Sequence, residues 1–339
     1  MMIRETVSDI IKKVYDGEFI TTEEIKKLLT SEHHSVEAGF IMAAANNLSR
    51  IASKNQAEVH AQIGLNCSPC PRNCLFCAFA AKNEIFTEET ELPLEDAILM
   101  ANNAENQGAN AIFIMATGDY PIQKYLDVAK EIRKNIKSET VMIANVGDFN
   151  SKTGTQLKDA GFSGIYHAVR MGEGKVTGIA PETRMKTVQA AREAGLLIGT
   201  CVEPVGPEHK VDEIVEKIII GREIKPVYSG AARRITISGS ELEKYGMLTE
   251  YQMAFIVAVT RLAMGRNLMA NCTHEPNLLG ANCGANLFWA EVGTNPRDTE
   301  KDTSEGRGID IDDCLNIFNE SDYSMIYGAS IFYSDANKM

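Results

Sequence analysis

The stretch Val59-His-Ala-Gln-Ile-Gly-Leu65-Asn-Cys67-Ser-Pro-Cys70-Pro-Arg-Asn-Cys74-Leu-Phe-Cys77-Ala-Phe79 joins a short apolar run to a loop crowded with cysteine. Val59–Leu65 has the length and content of a buried strand. Downstream the same unit recurs: a strand-like run, a short turn, then an amphipathic helical pattern. Further strand-like runs fall at Ala111–Met115, Val141–Val146, Gly164–Val169, Leu197–Val202, Arg234–Ser238, Leu268–Cys272 and Leu287–Ala290. Helical patterns occupy Leu94–Gln107, Ile122–Asn135, Thr153–Ala160, Pro181–Ala194, Val211–Ile224 and Glu250–Met264. Gly108, Gly161, Gly195 and Gly265 follow four of these helices, where a helix C-terminus favours glycine. Strands alternating with helices call for a parallel sheet, and seven or eight such units for a closed barrel.

Upstream, residues 1–55 read as helical. Ile10, Ile11 and Val14 share a face, and Thr21-Thr22-Glu23-Glu24 offers an N-cap ahead of Ile25 and Leu28. Beyond residue 291 the chain turns acidic and polar. The expected fold class is α/β: a (β/α)8 TIM-like barrel over 56–291, with a helical N-terminal segment (1–55) and a C-terminal extension (292–339).

The chain holds 34 basic and 46 acidic residues, a net charge of -12, which argues against a nucleic-acid partner. Neutral or cationic small substrates are left open. No stretch reaches the roughly 20 apolar residues of a membrane span. Met1-Met2-Ile3-Arg4-Glu5 lacks the apolar run of a signal peptide, so a cytoplasmic location is expected. Four of the eight cysteines lie between positions 67 and 77, which in a large intracellular chain reads as metal or redox chemistry.

Cys70, Cys74 and Cys77 form a Cys-x3-Cys-x2-Cys run. Three thiolates on one loop can hold three irons of a [4Fe–4S] cube and leave the fourth iron without a protein ligand. Structural zinc usually draws four ligands from two separated pairs, and only three residues part Cys67-x2-Cys70 from Cys74-x2-Cys77. A ferredoxin-type cluster would have no need of a barrel. Zinc and a ferredoxin-type cluster stay as alternatives, and Cys67 reads as a buried thiol.

Cys-x3-Cys-x2-Cys after the first strand of such a barrel resembles the radical S-adenosylmethionine (SAM) superfamily. That resemblance implies SAM chelated to the open iron, one-electron cleavage of its C–S bond, and a 5′-deoxyadenosyl radical that abstracts hydrogen from a small-molecule substrate. It also implies an electron donor such as ferredoxin or flavodoxin. Met115-Ala-Thr117-Gly118-Asp119 resembles the family loop that meets the SAM amino group. Arg170, Glu173 and Arg184 fall where the family grips the ribose hydroxyls and methionyl carboxylate, although each also reads as a surface or helix-pairing charge. Phe76, within the cysteine run, and Val205, in a turn resembling the family's adenine and methionyl contact, complete the expected cofactor set. Cys201 and His274, at the fifth and seventh strands, are the candidates for catalysis; each also reads as an ordinary buried residue.

Within the superfamily the chain is most similar to the biotin synthase-like group, which includes methylornithine synthase and the radical maturase of [FeFe]-hydrogenase. The shared features are the helical start, the full barrel, Ser238-Gly-Ser-Glu-Leu242 and a late Gly-Ala-Asn before an aromatic strand. Biotin synthase takes sulfur from a second, [2Fe–2S] cluster on three cysteines and an arginine. Cys201 matches one of those positions, while Met115 or a neighbour, Ala144 and Met269 match the others, so sulfur insertion is not expected. Rearrangement, methyl transfer or cofactor assembly is expected instead, in cofactor or unusual amino-acid biosynthesis of an anaerobe. Two other readings stand beside it: a maturase for the pyridinol cofactor of [Fe]-hydrogenase, and a non-catalytic iron–sulfur scaffold or electron carrier.

Overall fold

The computed structural model describes residues 5–334. The Met1–Arg4 start and the last five residues of the C-terminal segment lie outside the described residues. Three helices come first: α1 (Glu5–Tyr15), α2 (Thr22–Leu29) and α3 (Val36–Ser53). Ile10, Ile11 and Val14 are buried along one face of α1, as their spacing predicts. Thr21 caps α2 reciprocally: its hydroxyl accepts from Glu24 N at 3.2 Å, and the Glu24 carboxylate accepts from Thr21 N at 2.8 Å.

Eight parallel strands then close into a barrel. They are β1 (Gln56–Gly64), β2 (Ala111–Met115), β3 (Val141–Asn145), β4 (Gly164–Tyr166), β5 (Leu197–Gly199), β6 (Tyr228–Arg233), β7 (Ala270–Thr273) and β8 (Leu287–Gly293). Closure rests on β1 and β8, which pair from Glu58↔Leu287 to Gly64↔Gly293. Helices α4 (Leu94–Asn106), α5 (Ile122–Asn135), α6 (Ser151–Asp159), α7 (Pro181–Glu193), α8 (Val211–Glu223) and α9 (Glu250–Ala263) follow successive strands. Every residue of α9 from Met253 to Ala263 is buried, because α3 covers the side that faces away from the barrel. The chain ends with α10 (Leu278–Asn282) before β8 and α11 (Ile311–Glu320) after it. No helix of the described residues is long and apolar enough to cross a membrane.

The sixth strand corrects the sequence reading. Arg234–Ser238, expected as a strand-like run, is a loop, and the strand is the preceding Tyr-Ser-Gly-Ala-Ala-Arg. Small size selects this segment over β-propensity. A Cβ on Gly230 would lie 2.0 Å from Cys272 O on the adjacent strand, so only glycine permits that approach. Ile237 instead packs beside Cys67, Phe79 and Phe86 above the barrel mouth.

The opposite end of the barrel is plugged by the C-terminal segment. Glu58, wholly buried in β1, accepts from the backbone N–H groups of Ile331 (2.6 Å) and Phe332 (2.9 Å) and from the Ser330 hydroxyl (2.5 Å). Its carboxylate also lies 2.8 Å from His60 Nε2. The Tyr333 hydroxyl donates to Ile165 O and Leu197 O at the lower ends of β4 and β5.

Candidate active site at the barrel mouth

The C-terminal ends of the strands open into a cavity whose empty space, open solvent included, is about 1230 Å³. Active sites of this fold are built on that face. Cys70, Cys74 and Cys77, all on the loop after β1, share one wall. The loop turns back on itself: Cys70 N donates to Phe79 O (2.7 Å), Ala81 N to Cys70 O (3.1 Å) and Cys77 N to Cys74 O (2.9 Å). Asn73 takes a left-handed conformation at φ 48° to make the turn. Leu75 N donates to Val176 O and Ala78 N to Pro296 O, which fixes the loop to two others at the mouth.

None of the eight cysteines is in a disulfide. Burial raises the thiols of Cys70, Cys74 and Cys77, while Arg170 and Arg184 pull Cys74 back down. Thiols so placed ionise readily only against a bound cation. Three such donors on one loop fit a [4Fe–4S] cluster that keeps one iron free of protein. Cys67 packs in the same apolar cluster as Cys70 but does not line the cavity. It sits in a two-stranded ribbon (Asn66–Cys67 with Thr90–Glu91), off the cavity wall, and burial pushes its thiol up to about 12.

Thr117 and Gly118 form the next part of the wall. Asn66 holds them: its Oδ1 accepts from Thr117 N and its Nδ2 donates to Thr117 Oγ1, both at 2.9 Å. A Cβ on Gly147, after β3, would fall 2.5 Å from Gly118 O, so the two loops meet only because that residue is glycine.

Arg184, at the start of α7, joins the buried Glu173 carboxylate to the half-buried Asp148 carboxylate. Its Nε and Nη2 donate to Glu173 at 3.1 and 3.3 Å, and its Nη1 to Asp148 Oδ2 at 3.1 Å. Glu173 also accepts from Arg170 N (3.0 Å) and Thr177 Oγ1 (2.8 Å), which holds the loop after β4. Burial alone would raise Asp148, but His167 at 3.2 Å and Arg184 hold it well below the usual carboxylate range.

At the floor, the His274 ring lies 4.0 Å from that of Trp289, with Tyr166 edge-on to both. His274 Nδ1 is 3.1 Å from Glu203 Oε2, and Arg170 Nε is 3.5 Å from Glu203 Oε1. Burial opposes a charge on His274, but Cys201 and Glu203 outweigh it and push the pKa up to about 9. The Cys201 thiol is itself driven up by burial, so the Glu203 carboxylate is the partner that counts near neutral pH. Glu203 is buried too, yet His274 and Arg170 push it down to about 2.

Of the residues expected from the sequence, Cys70, Cys74, Cys77, Phe76, Thr117, Gly118, Arg170, Arg184 and His274 line this one cavity. Glu173 is buried behind it, Asp119 is exposed at its rim, and Val205 lies behind Pro204, which does reach the wall. Cys201 sits beneath the floor. Sequence reasoning does not single out Asp148, His167 or Glu203. Asp148 and His167 stand three residues and one residue beyond the ends of β3 and β4, where a rule of position just past each strand end selects them, and Glu203 lies in the short strand Val202–Val205 that pairs with β6.

Residues 69–219 match the family model of the Radical SAM superfamily. That family uses a [4Fe–4S] cluster and SAM. The chain's relatives include homologues named biotin synthase. The one from Carboxydothermus hydrogenoformans is 23% identical, over 86% of this chain and 94% of its own length. The one from Geotalea uraniireducens is 24% identical, over 81% and 86%. Among solved structures, the [FeFe]-hydrogenase maturase HydG from Carboxydothermus hydrogenoformans is similar with a TM-score of 0.79 at 19% identity, covering 98% of this chain and 82% of its own. Methylornithine synthase (PylB) has a TM-score of 0.77 at 15% identity, covering 94% and 97%. At such identities the likeness of the two structures is one of fold.

Proposed function

We propose that the protein is an enzyme that holds a [4Fe–4S] cluster on Cys70, Cys74 and Cys77, binds SAM across the cavity, and takes a hydrogen atom from a small substrate above Trp289 and His274. One observation carries this reading: three unpaired thiols of a single loop share the wall of a large cavity at the barrel face where catalysis takes place. A reduced cluster held on Cys70, Cys74 and Cys77 would supply the single electron that cleaves the sulfonium C–S bond of bound SAM, with methionine as the leaving group, and the nucleoside fragment would supply the hydrogen-abstracting chemistry.

The side chains divide the remaining tasks. The backbone at Thr117 and Gly118 receives the SAM amino group. Arg170 takes the methionyl carboxylate, because Arg184 already spends its three donor nitrogens on Glu173 and Asp148. Glu173 acts through the Arg170 loop rather than by touching ribose. Arg297 Nη2 is buried on the wall without a hydrogen-bond partner, and a substrate carboxylate or carbonyl would satisfy it. We infer carbon rearrangement or group transfer rather than sulfur insertion. Ala144 packs toward the helices, and its inward neighbours Ile143 and Asn145 carry no thiol.

The test is anaerobic reconstitution followed by dithionite and SAM. Four irons per chain and release of 5′-deoxyadenosine are expected. Alanine at Cys70, Cys74 or Cys77 abolishes both, and Cys67→Ala keeps both. A scaffold or electron carrier would hold the iron and release no nucleoside. That result, or iron retention in Cys74→Ala, refutes the proposal.

A further inference from the structure

Beneath the cavity floor, two strands that flank β6 bring three metal-binding groups together. Cys201 stands two residues beyond β5, Cys272 lies in β7, and His274 follows β7 directly. One ligand atom from each falls within 4.8 Å of the other two, and all three residues are buried. β6 permits the approach because Gly230 pairs with Cys272 and is followed by Ala231 and Ala232. Both cysteines are free thiols.

An ordinary core reading explains part of this cluster. The Glu203 contact accounts for His274 Nδ1, while Nε2 is buried without a hydrogen bond of good geometry, the ring's other polar neighbour being the Cys201 thiol. Native proteins rarely leave such an atom unsatisfied. An imidazole oriented by a carboxylate through one nitrogen, with the other free, is the usual arrangement of a metal-ligating histidine. Two thiols and an imidazole form a zinc-type ligand set, and three protein ligands leave a fourth position open.

We propose that Cys201, Cys272 and His274 bind one soft divalent cation of the zinc or ferrous class, its fourth position left to a donor from the cavity that His274 lines. The cation takes both sulfurs as thiolates, and the protons they give up go to solvent. No electron is transferred. The site shares no ligand with the cysteine loop after β1, and it stands whether or not that loop holds a cluster.

The test uses the anaerobically reconstituted holoenzyme, one equivalent of Zn²⁺ and gel filtration. About one zinc per chain is expected to remain. Its K-edge absorption should show two sulfurs at about 2.3 Å and imidazole nitrogen at about 2.0–2.1 Å. Cys201→Ala, Cys272→Ala and His274→Ala should each weaken zinc binding about 100-fold or more, and Glu203→Gln about 10- to 100-fold, with iron content unchanged. The edge of the unaltered protein decides the matter even if a variant fails to fold. Zinc lost on filtration overturns the proposal, as does an edge with only oxygen and nitrogen neighbours. Binding indifferent to the substitutions, or a Cys201–Cys272 disulfide in the anaerobic protein, overturns it too. Iron following Cys70, Cys74 and Cys77 reports separately on the cluster.

Discussion

Replacing Arg184 with glutamine removes the cation that lies between two carboxylates. The Arg184 side chain is 5% exposed, and those of Glu173 and Asp148 are 0% and 13% exposed, so solvent screens these pairs weakly. Glutamine brings one neutral amide where three charged donors stood. Breaking a buried pair by removing one partner costs about 3–5 kcal/mol. Glu173 keeps its bonds from Arg170 N and Thr177, so the loss should fall near the lower end, about 3 kcal/mol. Urea unfolding of the cluster-free protein reads this as a shifted midpoint at constant slope. The pH dependence supplies a sharper signature. Asp148 is held below its unfolded pKa of about 3.9, so the stability it contributes is present above that value and is lost as pH falls. The deficit of Arg184→Gln should be largest near neutrality and narrow below about pH 4. Adding Glu173→Gln should restore part of it. A deficit under about 1 kcal/mol at neutral pH, or one that ignores pH, would refute the reasoning.

Three further outcomes are expected. Gly147→Ala pushes the Thr117–Gly118 loop away and should weaken SAM binding about 10-fold or more with the fold intact, since about 1.4 kcal/mol of misfit suffices; equilibrium dialysis showing an unchanged Kd contradicts this. Ser330→Ala deprives Glu58 of a donor and Tyr333 N of its acceptor at 2.9 Å, and should cost about 2 kcal/mol in urea unfolding. Gly230→Ala sets a methyl against the β7 backbone and should cost more than about 4 kcal/mol; a soluble variant with unchanged Tm would count against the closure described above.

Much of the barrel can be read from local pattern. Ala111–Met115 and Ile122–Asn135 are placed residue for residue, the first by its unbroken apolar run and the second by Tyr125, Leu126, Ala129 and Ile132 recurring at helical spacing. Local pattern misleads at β6, where steric room and not side-chain type selects the strand. The cysteine wall is legible because its three members are close in sequence. The Arg184–Asp148–His167 contacts and the Cys201–Cys272–His274 cluster are not, because barrel closure assembles them from separate strand ends. The plug is least legible of all: backbone N–H groups of residues 331 and 332 bind a carboxylate more than 250 positions earlier, and no side-chain pattern encodes that.

The pairing of the first barrel strand with the last has a consequence for biosynthesis. At about 5–20 residues per second, a ribosome needs roughly 10–45 s to travel from the end of β1 to the start of β8. Throughout that interval the nascent sheet presents an unpaired edge, and open edges template association with other chains. Emerging chains on crowded polysomes are therefore most exposed to mispairing just before the eighth strand arrives, and holdase chaperones that mask sheet edges should raise the soluble yield.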